Sequence, residues 1–310
     1  MKTCRLENFD HQITTMQDSE DEQGHSDDNV FVTLVAGVIQ TPRVPRPLGH
    51  NTYQTGIYRT LGRVLRNVTS EKLDSTMSDF VRFAHFAHVR MGTQLYMEFV
   101  NVCTNTILHL VCARRTSAHI VRRLMEIISG YAQNQTDHLA LAWRYLVPNS
   151  AFHSQLQPHG GMTPVMLVAQ NHQFDALKIL LQYGMLERER RPSYVIISLL
   201  FDFPRLEEEE RNLCCDSLMR ELKACVALCF RVLIHVSIAE IEMQIIYGRQ
   251  PLIAEWRDHI PRNRSCDPCE LSHLCRSVIR RRLLVLGLLP NGINALFLPR
   301  CLQSYLNLEH

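Results

Sequence analysis

The sequence has no apolar run long enough to cross a bilayer. Its longest, Val30 to Ile39, Val195 to Phe201 and Leu283 to Leu289, fall short of the roughly 18 residues a spanning helix requires, so no membrane association is expected. The first residues lack the basic, then apolar, then small-residue order of a secretory leader. Charge of one sign is also missing. The 33 basic residues face 31 acidic ones for a formal charge of +2, which leaves no field to draw the molecule to nucleic acid or anionic lipid. The cysteines number 11, an odd count, and in a chain of this size they do not read as a disulfide framework. A cytoplasmic or nuclear location is the expectation, and the Asn-x-Ser/Thr triplets at Asn67, Asn134 and Asn263 then count as chance matches. Catalytic signatures are absent too: no G-x-x-x-x-G-K, G-x-G-x-x-G, H-E-x-x-H or G-x-S-x-G occurs. Neither a cofactor nor enzymatic activity is expected.

What is present is a chain of 310 residues, 46% of them hydrophobic, enough to build a sizeable core. Residues 1 to about 28 are polar and carry the acids Asp18, Glu20, Asp21, Glu22, Asp27 and Asp28. They cannot bury enough apolar surface to offset ordering entropy, so residues 1–50 are expected to form a disordered or extended tail. Val30 to Ile39 could pair as a strand, but Pro42, Pro45 and Pro47 follow at once. From Tyr53 onward the apolar residues recur at helical spacing, as at Tyr58, Leu61, Val64 and Leu65. A long helix is predicted from Cys214 to Val236, with Leu218, Leu222, Cys225, Cys229, Val232, Leu233 and Val236 on one face and its cysteines acting as small apolar residues. Breaks are expected around Glu207 to Arg211 and Pro261 to Pro268, and the triple Arg280, Arg281, Arg282 is expected to be a solvated helix face.

Gly161 to Met185 read GMTPVMLVAQNHQFDALKILLQYGM. Thr163 can cap a helix start and Pro164 can take the first helical position, where its missing donor costs nothing. Val165, Leu167, Val168 and Ala169 then make a short apolar helix, Leu177, Ile179, Leu180 and Leu181 a second, and Gly184 suits a left-handed C-cap. This segment resembles the ankyrin repeat. Its structural residues by that resemblance are Gly161, Thr163, Pro164, Ala169, Leu180, Leu181 and Gly184. Met166 stands where that family has His, and His172-Gln173 where it has Gly-His, so hydrogen bonding between repeats is expected to depart from the family's. A fainter echo runs from Asn105 to Met125, through Thr106, Leu108, His109, Leu110, Ile120, Val121 and Leu124. One repeat cannot bury its own face, so flanking helices must stack on it.

At the C-terminal end, Leu271 to Arg280 read LSHLCRSVIR. At 100° per residue, Leu271, Leu274, Cys275, Val278 and Ile279 form one apolar stripe, with Ser272, His273, Arg276, Ser277, Arg280 and Arg281 off it. Periodicity alone favours an ordinary amphipathic helix packed on the protein's own core. Leu298 to Leu306 read LPRCLQSYL. The first segment resembles the elongin-binding part of a SOCS box and the second its cullin-5-binding part. Cys301 replaces the second Pro of that pattern and removes backbone stiffening.

Both motifs, in order and behind an ankyrin-like segment, resemble the ankyrin repeat and SOCS box family from roughly Tyr53 onward. The resemblance implies an all-α fold: a degenerate ankyrin-type array over residues 51–260, with its clearest repeat at 161–191 and a weaker one near 104–130, then a SOCS box over 261–310. It implies a non-catalytic adaptor of a ubiquitin ligase that directs targets to proteasomal degradation. Elongin C would dock on Leu271, Leu274, Cys275, Val278 and Ile279 and elongin B would follow. Cullin-5 with its RING subunit would dock on Leu298, Pro299, Leu302, Tyr305 and Leu306, and the array would select a protein substrate. The competing reading is an ankyrin scaffold that binds a partner without assembling a ligase. A zinc site from Cys266, Cys269, His273 and Cys275 is opposed by the helix, which puts Cys269 and His273 on the face opposite Cys275. A thioredoxin-like use of Cys266 and Cys269 would need a sheet domain.

Overall fold

The structure is a computed structural model. It describes residues 107–108, 111–112, 117–133, 162–189, 191–201, 215–253 and 255–309, all within one compact unit, Met97–His310. Within helix 118–133, side chains are described as far as Glu126 and at Ser129. The expectations for the tail, for the helices from Tyr53, for Gly161 and for the Glu207 to Arg211 break lie outside the described residues.

The described residues contain helices and turns and no strand. The ankyrin-like segment folds as its residues predict. Thr163 is the N-cap of α2 (Pro164–Gln170), its Oγ1 accepting from the Met166 amide at 3.3 Å. Helix α3 (Phe174–Gln182) returns antiparallel to it and ends at Gly184, whose φ of +77° is the left-handed turn that glycine adopts without steric cost. Ala169, Leu180 and Leu181 are fully buried between the two helices and their neighbours.

Stacking supplies the cover that one repeat lacks. α1 (Ala118–Gln133) packs on α3, and α3 packs on α5 (Cys215–Phe230), so the second helices of successive pairs form one layer. The first helices form the other: α2 lies on α4 (Ser193–Phe201), which contacts α6 (Ile238–Ile246). Helix α4 is apolar all round and buried along its length except at Tyr194, as such a helix must be. Ile107, Leu108, Val111 and Cys112, from the fainter echo, are also core residues. The fold is the expected degenerate ankyrin-type array. One bond between successive pairs runs through His172, which adopts φ +52° at the turn and whose Nε2 bonds the Leu199 carbonyl at 3.1 Å.

The predicted helix Cys214 to Val236 is shorter, ending at Phe230. Beyond it the chain turns, and the Val236 amide bonds the Arg264 carbonyl at 2.8 Å, a long-range bond that continued helix would not allow. Cys225 and Cys229 are buried core residues as expected, and burial pushes the Cys225 thiol up to about 12.

Candidate partner-docking site

The box begins after a turn region that holds the short 3-10 helices Trp256–His259 and Arg262–Arg264, matching the loop expected around Pro261 to Pro268. Its two main helices are α7 (Leu271–Val285) and α8 (Arg300–Leu306), which pack together. Leu283, Leu289, Ile293 and Leu306 form a small core between them, with Ile279, Leu284, Leu296 and Leu298 partly buried against it.

Helix α7 is mounted with its apolar stripe outward. Leu271 is 76% exposed, Val278 69% and Leu274 37%, and Cys275 is also exposed. Ile279, at the edge of the stripe, is half-buried on the box core. The inward face carries His273, Arg276, Arg280 and Leu283. The expected solvated face at Arg280, Arg281 and Arg282 is therefore corrected: Arg281 and Arg282 are exposed, but Arg280 is 1% exposed.

Buried cations need acceptors, and these come mostly from helix C-terminal ends, where the last carbonyls lack intrahelical partners and the macrodipole is negative. Arg280 uses all three guanidinium nitrogens: Nε donates to Glu187 Oε1 at 2.6 Å, Nη1 to the Leu306 carbonyl of α8 at 2.9 Å, and Nη2 to the Leu181 carbonyl of α3 at 2.5 Å. Arg264 donates to the Phe230 carbonyl at the end of α5 and to Glu270 at 2.8 Å. Arg231 donates to the Leu308 carbonyl. His273 Nε2 bonds the Leu233 carbonyl at 3.0 Å while its Nδ1 meets Arg276 Nη2 at 2.7 Å. Burial, with Arg264 and Arg276 close by, lowers the His273 pKa to about 4 and keeps the ring neutral, with Nδ1 free to accept.

The second predicted segment is divided. Pro299 caps α8 from an exposed position, Leu302 is 46% exposed, and Cys301 between them is exposed. Tyr305 is half-buried with the Arg276 guanidinium 4.1 Å over its ring. Leu306, expected among the docking residues, is 3% exposed and belongs to the box core, and Leu298 packs against the same core. The metal alternative finds no support in the geometry. Cys269 Sγ donates to the Ile234 and Asn263 carbonyls, His273 is buried, Cys275 faces outward, and no cluster of three potential ligands occurs among the described residues.

Helix α7 thus buries Arg276 and Arg280 and leaves Leu271 and Leu274 exposed. The SOCS box family model matches residues 267–307, the segment holding both helices. Ankyrin repeat and SOCS box protein 17 of Bos taurus is 41% identical over 283 residues, covering 91% of this chain and 94% of its own. The proteins of that name from Mus musculus and Homo sapiens are 39% and 37% identical over the same shares. The chain belongs to the ankyrin repeat and SOCS box family. No solved structure matches it. As in the family's name, a SOCS box follows an ankyrin-type array, and no described helix is long and apolar enough to cross a membrane.

Nothing in the motif pattern singles out the inward residues Arg264, His273, Arg276 and Arg280, or Glu187, the array partner of Arg280. A signal for part of this set was present: His273, Arg276, Arg280 and Leu283 recur at i, i+3, i+7 and i+10, one continuous face of a helix.

Proposed function

We propose that this protein is the substrate-recognition adaptor of a ubiquitin ligase built on elongins B and C and cullin-5 with its RING subunit. The single observation that carries the reading is the outward apolar stripe of α7, backed by an inward face on which His273, Arg276 and Arg280 hydrogen-bond within the protein. Leaving Leu271, Leu274 and Val278 in water has a free-energy cost that burial in elongin C would remove. The exposed surface of the second segment, Pro299, Cys301 and Leu302, is the cullin-facing part, with Tyr305 at its edge. Leu298 and Leu306 support that surface from beneath. The ankyrin array binds the protein to be modified.

Such an adaptor performs no bond chemistry. It raises the effective concentration of a substrate lysine near a charged ubiquitin-conjugating enzyme, and degradation of the substrate follows. A cytoplasmic or nuclear site of action fits this role.

The test is co-purification of the full chain with elongins B and C, followed by addition of cullin-5. Deleting the chain from Leu298 would remove the core residue Leu306, so Leu302→Asp on the surface of α8 is the appropriate lesion. A stable elongin complex that captures cullin-5, and loses it with Leu302→Asp, supports the ligase reading. Elongin capture without cullin-5 favours the scaffold reading, which Cys301 in place of Pro also favours. No elongin capture rejects the adaptor.

A further inference from the structure

The array and the box are joined by more than their peptide linker. Among the described residues, Arg280 is the only side chain of α7 whose hydrogen bonds reach both the array and α8, and it does so with three nitrogens on three segments. Its carboxylate partner Glu187 stands on the array, in the turn after Gly184. The same turn approaches α7 so closely that a Cβ on Gly184 would lie 2.6 Å from Leu284 Cδ1 and 3.0 Å from Leu289 Cδ1. Gln182 Nε2 completes the contact on the Asn307 carbonyl at 3.1 Å.

We propose that Glu187 and Arg280 are a positioning pair that fixes the angle at which the array presents the elongin-docking face of α7. The consequence for ubiquitin transfer rests on the adaptor reading above; the clamp itself does not. A planar guanidinium with three separately occupied nitrogens allows one orientation of α7 against α3 and α8, whereas a lysine ammonium concentrates its donors on one atom and cannot reproduce that fork. In a ligase, a rotation at this mount is multiplied by the length of the assembly. Fixing the angle therefore sets where the bound substrate lies relative to the charged conjugating enzyme.

The experiment uses the full chain with spin labels introduced by unnatural amino acids at Arg220 on α5 and Arg281 on α7, both exposed. Distance distributions are recorded for the parent chain and for Arg280→Lys and Glu187→Gln. Glu187→Gln leaves every box residue in place. Elongin affinity is titrated on the unlabelled proteins. We expect one narrow distribution in the parent, a broadened and shifted one in both variants, and elongin affinity changed by less than about threefold, the scatter of a surface substitution. Distributions as narrow as the parent's in both variants would overturn the proposal, and so would loss of elongin affinity in Glu187→Gln, which would make the pair part of docking itself. A parent chain that binds no elongin rejects the adaptor reading and leaves the intramolecular distance measurement to decide the clamp.

Discussion

Truncating Leu271 separates docking from folding. The side chain is 76% exposed, whereas Leu283, further along the same helix, is 6% exposed and belongs to the box core. If elongin C buries Leu271 as a core would, Leu271→Ala removes about 2 to 3 kcal/mol of binding, the lower part of the range for buried Leu→Ala changes. At about 1.4 kcal/mol per decade this is roughly a 30- to 150-fold rise in Kd. Folding stability should move by no more than about 0.5 kcal/mol, because the side chain lies mostly in water in the isolated chain. Leu283→Ala should do the reverse in kind, costing about 2 to 5 kcal/mol of folding stability. Calorimetric titration with elongin B/C and urea denaturation of each variant supply the two readouts. Two results would refute the reasoning: a urea midpoint for Leu271→Ala as low as that for Leu283→Ala, or an elongin affinity equal to the parent's.

Four further outcomes follow from the same geometry. Arg280→Met takes the ion-paired guanidinium from Glu187, 11% exposed at its side chain, and leaves only the neighbouring Arg188 to offset its charge, so it should cost about 3 kcal/mol in urea denaturation; adding Glu187→Leu should recover most of that loss. Gly184→Ala forces a side chain into φ +77° and against Leu284, so it should lower stability by at least about 1 kcal/mol, with Gly184→Asn losing no less because its Cβ meets the same leucine. Thr163→Ala removes the cap of α2 and should cost about 1 kcal/mol by thermal unfolding, with Thr163→Ser restoring most of it. His273 has a pKa of about 4 in the fold against an ordinary 6.5, so the unfolded chain takes up the proton first. Its contribution to stability is complete above about pH 6.5 and is lost as pH falls from there towards 4. Urea midpoints near pH 7.5 and pH 5 should differ more in the parent than in His273→Gln.

Helix identity was legible because it depends on local spacing. The Thr163-Pro164 start, the Gly184 stop and the stripe from Leu271 to Val278 each follow from residues within a few turns of one another, and each stands in the structure as spacing predicts. The long helix predicted to Val236 failed where a distant partner intervened, since the Arg264 carbonyl takes the Val236 amide. Likewise the left-handed turn at His172 is stabilised by a carbonyl 27 residues away, which no local pattern announces.

Amphipathicity by itself determined that α7 has two unlike faces, and the motif pattern determined which family the chain resembles. Only the tertiary structure decided that the leucine face points out and the arginine face points in. Burial of Arg280, Arg264 and His273 is favourable here because the array and α8 bring backbone carbonyls at Leu181, Leu306, Phe230 and Leu233, together with Glu187, to meet them. Those acceptors come together only in the assembled array and box. The same assembly buries Leu306, which the resemblance placed among the docking residues, in the box core, where it holds α8 on Leu283, Leu289 and Ile293.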